Sequence, residues 1–310
     1  MNIYKPEGCN RRSAVNYEYI STAEGLERAM NEGVILEWQV HLCDHAYDLH
    51  LELPSGIHGI IPRTEVQLSS GGAETKDIAI LTRVGKTVCF KVIGFTERGG
   101  ERIAVLSRKA AQAECYEYYV KALSPGDIIP ARVTHTEGFG AFLDIGCGIP
   151  SLLSIDTISV SRISHPKDRL RVGDNIFVAV KGKDNKGRIY ASTRELLGTW
   201  EENAARFREG ETVVGCIRSV ESYGVFVELM PNLAGLAEYR EDATPGMAAA
   251  VYIKSIIPEK MKIKLIIIDL RTELTEPVPL QYFIDPVSNS RIDSWTYSPS
   301  CSKKLIETVF

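Results

Sequence analysis

The sequence contains an internal repeat with a constant spacing, and this repeat limits the folds that the chain can adopt. Gly126–Val133 matches Gly210–Ile217, and Gly138–Ile145 matches Ser222–Leu229, both at an offset of 84 residues. Two aligned blocks at one offset indicate two copies of one structural unit. A weaker third copy precedes them over 33–108, so we predict three similar domains in one chain.

Within each copy the apolar residues alternate with a period of two. In the second copy, short runs such as Ile128–Val133 and Ile176–Val180 are separated by Gly and Asp, a pattern typical of strands. About five strands in about 70 residues are too few for a sandwich and fit a small closed barrel of the OB type. We therefore predict a mainly β chain with three tandem five-stranded OB-fold barrels, joined by short helical linkers.

Helix-forming segments separate the copies. Lys109–Lys121 and Trp200–Phe207 contain Ala, Glu, Gln and Lys without interior Gly or Pro. Thr22 is expected to cap a helix that runs through Met30 and ends at Gly33. The predicted parts are an N-terminal helical arm (1–32), three OB domains (33–108, 124–197 and 208–271), two helical linkers (109–123 and 198–207) and a C-terminal tail (272–310).

Composition sets the broad class of the protein. With 44% apolar and 25% charged residues, the chain is an ordinary globular protein. The seven cysteines are odd in number and form no C-x-x-C pair, which predicts reduced, mostly buried thiols rather than disulfides or a zinc site. No apolar run approaches the roughly 18 residues of a membrane span, and the first residues lack a signal-peptide core. We expect a cytoplasmic protein.

The formal net charge of −4 at first argues against a nucleic-acid binder, but the three copies differ in charge. The second copy carries ten Lys and Arg against eight Asp and Glu, whereas the other two each carry eight against nine. A basic cluster in the second copy is expected to follow phosphates. It consists of Arg162, Lys167, Arg169, Arg171, Lys181, Lys183 and Lys186.

Two aromatic residues of the second copy flank small ones. Phe139 and Phe142 surround Gly140 and Ala141, which would let a nucleic-acid base approach either ring. Since residues three apart on a strand face opposite sides, exposing both rings would require a bulge or a twist. From these residues alone, one core ring beside one rim ring is an equally good interpretation.

The motifs taken together resemble a known family. Gly138–Phe142, the strand that begins at Gly173-Asp174, and the Asp184–Ser192 segment resemble the S1 (S-one) domain, the RNA-binding OB module named after protein one of the small ribosomal subunit. Over about Gly33–Asp269, the chain is similar to the short ribosomal-protein-S1-like proteins of anaerobic Gram-positive bacteria. The resemblance implies binding of single-stranded RNA.

In that family one face presents two aromatics, a histidine, an aspartate and an arginine to RNA. In the second copy the resemblance implies Phe139 and Phe142 as the aromatics, with Asp184 and Arg188 as the charged pair. Ser154 stands at the histidine position, which weakens that contact.

The third copy keeps only part of the motif. Tyr223 and Phe226 occupy the aromatic positions, and Lys262 replaces the arginine. Glu238 stands at the histidine position, where its charge would repel phosphate, and Pro258 replaces the aspartate. We expect this copy to assist RNA binding rather than to lead it.

The first copy is expected to have a different role. Ala46 and Leu49 fall at its aromatic positions, so it should not stack bases. In the family the leading copies attach the protein to the ribosome, and the resemblance therefore implies contact with the 30S subunit. Its four clustered histidines have spacings that suit no helix-borne metal site. They are His41, His45, His50 and His58.

We therefore expect an RNA-binding protein of the ribosomal protein S1 type that binds single-stranded messenger RNA in translation, on the ribosome. No arrangement of residues suggests catalysis, and we expect no cofactor, metal, small-molecule substrate or membrane partner. Three alternatives remain open: an RNA-binding regulator that acts off the ribosome, a protein-interaction scaffold that has lost RNA binding and, more distantly, a ribonuclease. The tail aromatics Tyr282, Phe283, Trp295 and Tyr297 are expected to pack on the third barrel.

Overall fold

The computed structural model describes residues 4–69, 75–274 and 280–310, with side chains omitted for 272–274. The first three residues of the predicted arm and residues 275–279 of the predicted tail lie outside the described residues. The chain divides into two compact units. The first contains the residues up to Leu123 together with 144–150 and 185–187, and the second contains the rest.

The arm of the first unit is helical. The helix α2 (Ala23–Glu32) begins as expected at Thr22, whose side chain accepts the N–H of Gly25. It ends at Gly33, where a φ of 68° suits a residue without a Cβ. A second helix, α1 (Ala14–Ile20), precedes it and was not predicted.

The first copy forms a six-stranded sheet, not the closed five-stranded barrel that we predicted. The strand order is β1-β5-β6-β4-β3-β2. The strands are β1 (Leu36–Gln39), β2 (Leu42–Cys43), β3 (Leu49–Glu52), β4 (His58–Ile61), β5 (Thr87–Arg98) and β6 (Glu101–Ser107), with a helix α3 (Asp77–Leu81) before β5.

The difference arises because the first strand of this copy is divided. β1 and β2 lie at opposite edges of the sheet, yet only Val40 and His41 separate them in the chain. The N–H of Val40 donates to Lys86 C=O at one edge, and the N–H of His41 donates to His50 C=O at the other. Val40 and His41 therefore connect the two edge strands of the sheet, but β1 and β2 do not form one continuous strand.

A buried ion pair fixes the arm to the first unit. The Glu7 carboxylate accepts from Arg108 Nε at 2.7 Å and from Nη2 at 3.0 Å. Burial opposes ionisation of Glu7, but the Arg108 guanidinium outweighs it and holds the pKa of Glu7 below its usual value. Removing one partner of such a pair leaves an uncompensated buried charge, so both are structural residues.

The second copy is a closed barrel of five strands in the order β10-β11-β9-β8-β7. Its alternating apolar residues point inward, and Val133, Leu143 and Val178 are fully buried. The helix α4 (Arg108–Tyr118) precedes the barrel. The strands are β7 (Ile128–Glu137), β8 (Gly140–Asp144), β9 (Pro150–Ser154), β10 (Asn175–Lys183) and β11 (Ile189–Ser192).

The third copy is also a closed five-stranded barrel, in the order β12-β13-β14-β16-β15. The helix α5 (Trp200–Ala204) precedes it, and Trp200 inserts into its core. The strands are β12 (Thr212–Glu221), β13 (Gly224–Met230), β14 (Leu233–Ala237), β15 (Met247–Ile257) and β16 (Lys262–Leu274).

The tail packs on both barrels of the second unit. Trp295 and Tyr297 join the core of the third barrel, as expected. Tyr282 does not: its ring meets Phe177 of the second barrel edge-on at 6.0 Å, and its hydroxyl accepts the Phe177 N–H. Phe283 also differs from the prediction, because its N–H donates to Leu196 C=O at the end of the second copy. Two short strands, β17 (Ser294–Thr296) and β18 (Glu307–Val309), complete the tail.

One buried side chain joins the second barrel, the linker and the third barrel. Asn232 is completely buried in the turn between β13 and β14. Its amide donates to the carbonyls of Arg194 and Gly198 at 2.8 and 2.9 Å and accepts the Val160 N–H at 2.9 Å. The Tyr297 hydroxyl donates to the Asn232 carbonyl at 2.6 Å. Through these bonds Asn232 connects the second barrel, the third barrel and the tail.

Candidate nucleic-acid interface

The two aromatics of the second barrel lie together on its surface. Phe139 is 56% exposed, and Phe142 is half-buried on the outer face of β8. Their ring centroids are 6.0 Å apart and the rings are perpendicular. The predicted bulge is not needed, because Phe139 lies in the turn before β8 and so does not follow the alternation of the strand.

Gly140 allows this turn to sit close to β9. A Cβ at residue 140 would lie 2.4 Å from the carbonyl oxygen of Leu153. The close approach lets Phe139 C=O accept the N–H of Ile155 at 3.0 Å, which fixes the backbone that carries the ring. The glycine therefore positions the aromatic pair.

Two further aromatic side chains extend the surface and were missed in the sequence analysis. The His135 ring on β7 stacks beside Phe142, with centroids 6.4 Å apart and planes 25° from parallel. Tyr190 on β11 is 36% exposed and pairs with Leu152 on β9. Tyr190 could have been found from the period of two, because it follows Arg188 by two residues and so shares its face.

Asp184 and Arg188 are brought together as the spacing predicts. Asp184 accepts the Arg188 N–H at 2.9 Å and the guanidinium Nε at 2.6 Å. The Asp184 carboxylate is only 18% exposed, whereas the Arg188 side chain is 64% exposed. The hydrogen bond that Arg188 donates to Asp184 raises the pKa of Arg188, so the guanidinium is a permanently charged, oriented donor.

The other predicted residues of the second copy lie on β9, on β10 and in the turn after β10. Ser154, at the histidine position, is half-buried at the end of β9. Lys181 and Lys183 are exposed near the end of β10, and Lys186 is exposed in the turn that follows.

The third barrel repeats the aromatic geometry without the rest of the motif. Tyr223 is 68% exposed, and its ring lies 6.2 Å from that of Phe226 at 89°. Lys262 and Glu238 are both exposed, and Pro258 begins a short 3-10 turn before β16. The pair therefore lacks the fixed carboxylate and arginine of the second barrel.

In the first copy the assignment of Ala46 and Leu49 to the aromatic positions is wrong by one residue. Leu49 is fully buried. In the third copy the fully buried residue at the same place is Val225, which precedes the second aromatic, Phe226. The outward position is therefore His50, and the turn position three residues earlier is Tyr47. The shift occurs because this copy has Asp48 where the other two have a glycine, Gly140 and Gly224, between the two aromatic positions.

The first copy consequently has two rings at these positions, but both have neighbours. The Arg63 guanidinium lies over Tyr47 at 4.9 Å from the ring centre. His50 Nδ1 lies 2.8 Å from His58 Nε2, and His50 Nε2 lies 3.1 Å from an Asp44 carboxylate oxygen. Among the residues that the structure describes, no group of His, Cys, Asp and Glu side chains is arranged to bind a metal ion.

A comparison with protein families identifies the second barrel. Residues 123–194 match the family model of the S1 RNA binding domain, and this range contains the aromatic pair and the Asp184–Arg188 pair. We call this matched range the S1 domain. The aromatic pair on β8 and the turn before it thus lies within the matched range, and the third barrel presents a similar pair outside it.

Two curated relatives are ribosomal proteins. The chain is 35% identical over 139 residues to small ribosomal subunit protein bS1 of Leuconostoc lactis, covering 43% of this chain and 32% of that protein. It is 29% identical over 178 residues to the bS1 protein of Staphylococcus saprophyticus, covering 52% of this chain and 45% of that protein. The chain thus spans less than half the length of these two relatives.

A solved structure is similar over more of the chain. It is a multidomain protein with nucleic acid binding domains from Streptococcus pneumoniae, 15% identical with a TM-score of 0.26, covering 78% of this chain and 75% of that one.

No helix in the described part of the chain has the length and apolar character of a membrane span.

Proposed function

We propose that this chain binds single-stranded RNA through the S1 domain of residues 123–194, in the manner of ribosomal protein S1. The observation that carries the proposal is the exposed, perpendicular ring pair of Phe139 and Phe142, on the same barrel as the oriented Arg188 guanidinium. Exposed rings provide platforms on which bases stack, and the arginine provides a phosphate contact.

The residues have distinct roles in this proposal. Phe139 and Phe142 stack bases, and Tyr190 extends the platform on the far side of Leu152. Arg188 contacts a phosphate. Asp184 acts through Arg188, because its carboxylate is largely covered and already holds the guanidinium. It is a positioning residue, since a carboxylate that faced phosphate would repel it.

The basic side chains around the platform support the path of the RNA backbone. Lys181 and Lys183 are exposed at the end of β10, and Lys186 follows in the next turn. The third barrel assists through Tyr223 and Phe226, with Lys262 at the start of β16. Weak sites in tandem reinforce one another through a high effective concentration.

The biological setting follows from the relatives. Both bS1 proteins are named as parts of the small ribosomal subunit, and we propose that this chain binds messenger RNA in translation there, which would place it in the cytoplasm. We assign ribosome attachment to the first copy, because the rings of Tyr47 and His50 already contact side chains of this copy and are therefore less available to stack bases. Binding alone accounts for the function proposed here, without a catalytic step.

The test is the salt dependence of RNA binding, measured by fluorescence anisotropy with a labelled single-stranded oligouridine. Arg188→Ala is expected to weaken binding and to reduce the slope of log K against log salt by about 0.7, the loss of one phosphate contact on a single strand. Lys303→Ala, which removes an exposed cation of the tail, is the matched control and should leave the slope unchanged. Equal slopes for wild type and Arg188→Ala would remove Arg188 from the site.

A second measurement addresses the setting. Native chain sedimented with purified 30S particles should travel with them, and a deletion of the first copy should abolish that association while RNA binding persists. A chain that binds RNA but stays at the top of the gradient is a regulator that acts off the ribosome.

A further inference from the structure

A segment of the second barrel lies along the third barrel. We call residues 160–171, between β9 and β10, the connector. The Val160 N–H donates to the Asn232 side chain at 2.9 Å, and the Ser161 N–H donates to Pro231 C=O at 3.1 Å. These contacts place the start of the connector at the C-terminal end of β13.

The end of the connector is fixed further along the same strand. The Arg169 guanidinium forms an ion pair with Glu228, and both side chains are buried. Arg218 on β12 donates to both oxygens of the same carboxylate, at 2.9 and 3.1 Å. Its Nη1 lies 4.0 Å from the carboxylate of Asp168 on the connector. The connector therefore runs along β13 from Met230 back to Glu228.

This path leads to the aromatic pair of the third barrel. Glu228 and Phe226 are two residues apart on β13, so their side chains point to the same outer face. On the neighbouring strand, Ser219 pairs with Phe226, directly after Arg218. The cluster of Arg169, Arg218 and Glu228 thus adjoins Phe226.

The connector brings charge to a site whose own motif is incomplete. In the third barrel Glu238 and Pro258 stand where the second barrel has Ser154 and Asp184. Lys167 and Arg162 of the connector are exposed, whereas Arg169 and Arg218 are balanced by Glu228 and Asp168. The connector therefore carries exposed cations of the second barrel along β13 of the third.

We propose that the connector and the aromatic pair of the third barrel form one composite site for single-stranded RNA. Tyr223 and Phe226 stack bases, and Lys167 of the connector contacts the adjoining phosphate. The proposal rests on the function proposed above and extends it. The third barrel does not bind RNA as an independent copy, because part of its site belongs to its neighbour.

A double-mutant cycle on the full chain tests this proposal. The variants are Lys167→Ala, Phe226→Ala and their combination, and the readout is the affinity for an oligouridine of about 20 nucleotides, long enough to cover two OB domains. Lys167→Ala is expected to weaken binding about fivefold, the effect of one exposed charge contact. In the Phe226→Ala background this effect should disappear, because the RNA no longer reaches the connector.

A second double-mutant cycle, with Phe139 in place of Phe226, is the control for the first. Lys167→Ala combined with Phe139→Ala should show independent, multiplying effects, because Phe139 belongs to the other site. If Lys167→Ala has no effect, or has the same effect with and without Phe226, the composite site is wrong. If Phe139→Ala with Phe142→Ala also leaves affinity unchanged, the proposed function fails as well. A loss with that double variant and no Lys167–Phe226 coupling overturns the composite site alone.

Discussion

Replacing Phe139 and Phe142 together by alanine is expected to weaken binding of single-stranded RNA about 30-fold or more, because each stacked base contributes about 1–3 kcal/mol. Phe139 is 56% exposed and Phe142 is half-buried, so neither ring belongs to the barrel core. The loss should therefore appear in the affinity and only weakly in the free energy of unfolding. Anisotropy titration and urea unfolding of the same preparation measure both quantities.

A control tests whether any exposed aromatic side chain contributes to RNA binding, or only those of the aromatic face. Tyr118 is 74% exposed on α4, outside the S1 domain, and Tyr118→Ala should bind RNA as the wild type does. Equal affinities for the double phenylalanine variant and the wild type would contradict the assignment of the aromatic face. Equal losses from Tyr118→Ala and the double variant would show that the platform is not confined to that face.

The second large effect concerns stability. Asn232→Ala removes the side chain that satisfies the Val160 N–H and the carbonyls of Arg194 and Gly198. A buried polar group left without a partner costs about 1–3 kcal/mol, so the free energy of unfolding should fall by about 3 kcal/mol or more. Urea unfolding followed by tryptophan fluorescence reports the change, because Trp200 and Trp295 both lie in the core of the third barrel.

The matched variant is Asn289→Ala. Asn289 is exposed and makes one side-chain bond, to Asp285 C=O at 3.0 Å, so its removal should change the free energy of unfolding by less than about 0.5 kcal/mol. If Asn232→Ala unfolded at the same urea concentration as Asn289→Ala, the tie between the two barrels would contribute little to stability. The bond between Val160 and Asn232 would then not be what holds the connector on the third barrel.

The barrels were predictable from the sequence, because their strands carry a local signal. The alternating residues of Ile176–Val180 become buried positions on β10, and the constant repeat offset aligned the two closed barrels. The divided first strand of the first copy was not predictable. Val40 and His41 continue the chain between the two strands, and only their hydrogen bonds to Lys86 and His50 reveal that each belongs to a different edge.

The site divides in the same way. The gap between Asp184 and Arg188 places both residues across one turn, so their ion pair follows from local spacing. The one-residue error at Tyr47 arose where no glycine anchored the alignment, and burial of Leu49 corrects it. The contact between Arg169 and Glu228 joins residues far apart in the chain, and long-range pairing leaves no periodic trace in a sequence.

The central claim, that RNA lies on the aromatic face of the S1 domain, is tested most directly by photo-cross-linking. The 310-residue chain is bound to a single-stranded RNA that carries 4-thiouridine, irradiated and digested, and the cross-linked peptides are identified by mass spectrometry. We predict cross-links in the peptides that contain Phe139, Phe142 and Tyr190, with further ones at Tyr223 and Phe226. Cross-links confined to residues 4–69 of the first unit, with none in 124–194, would contradict the account.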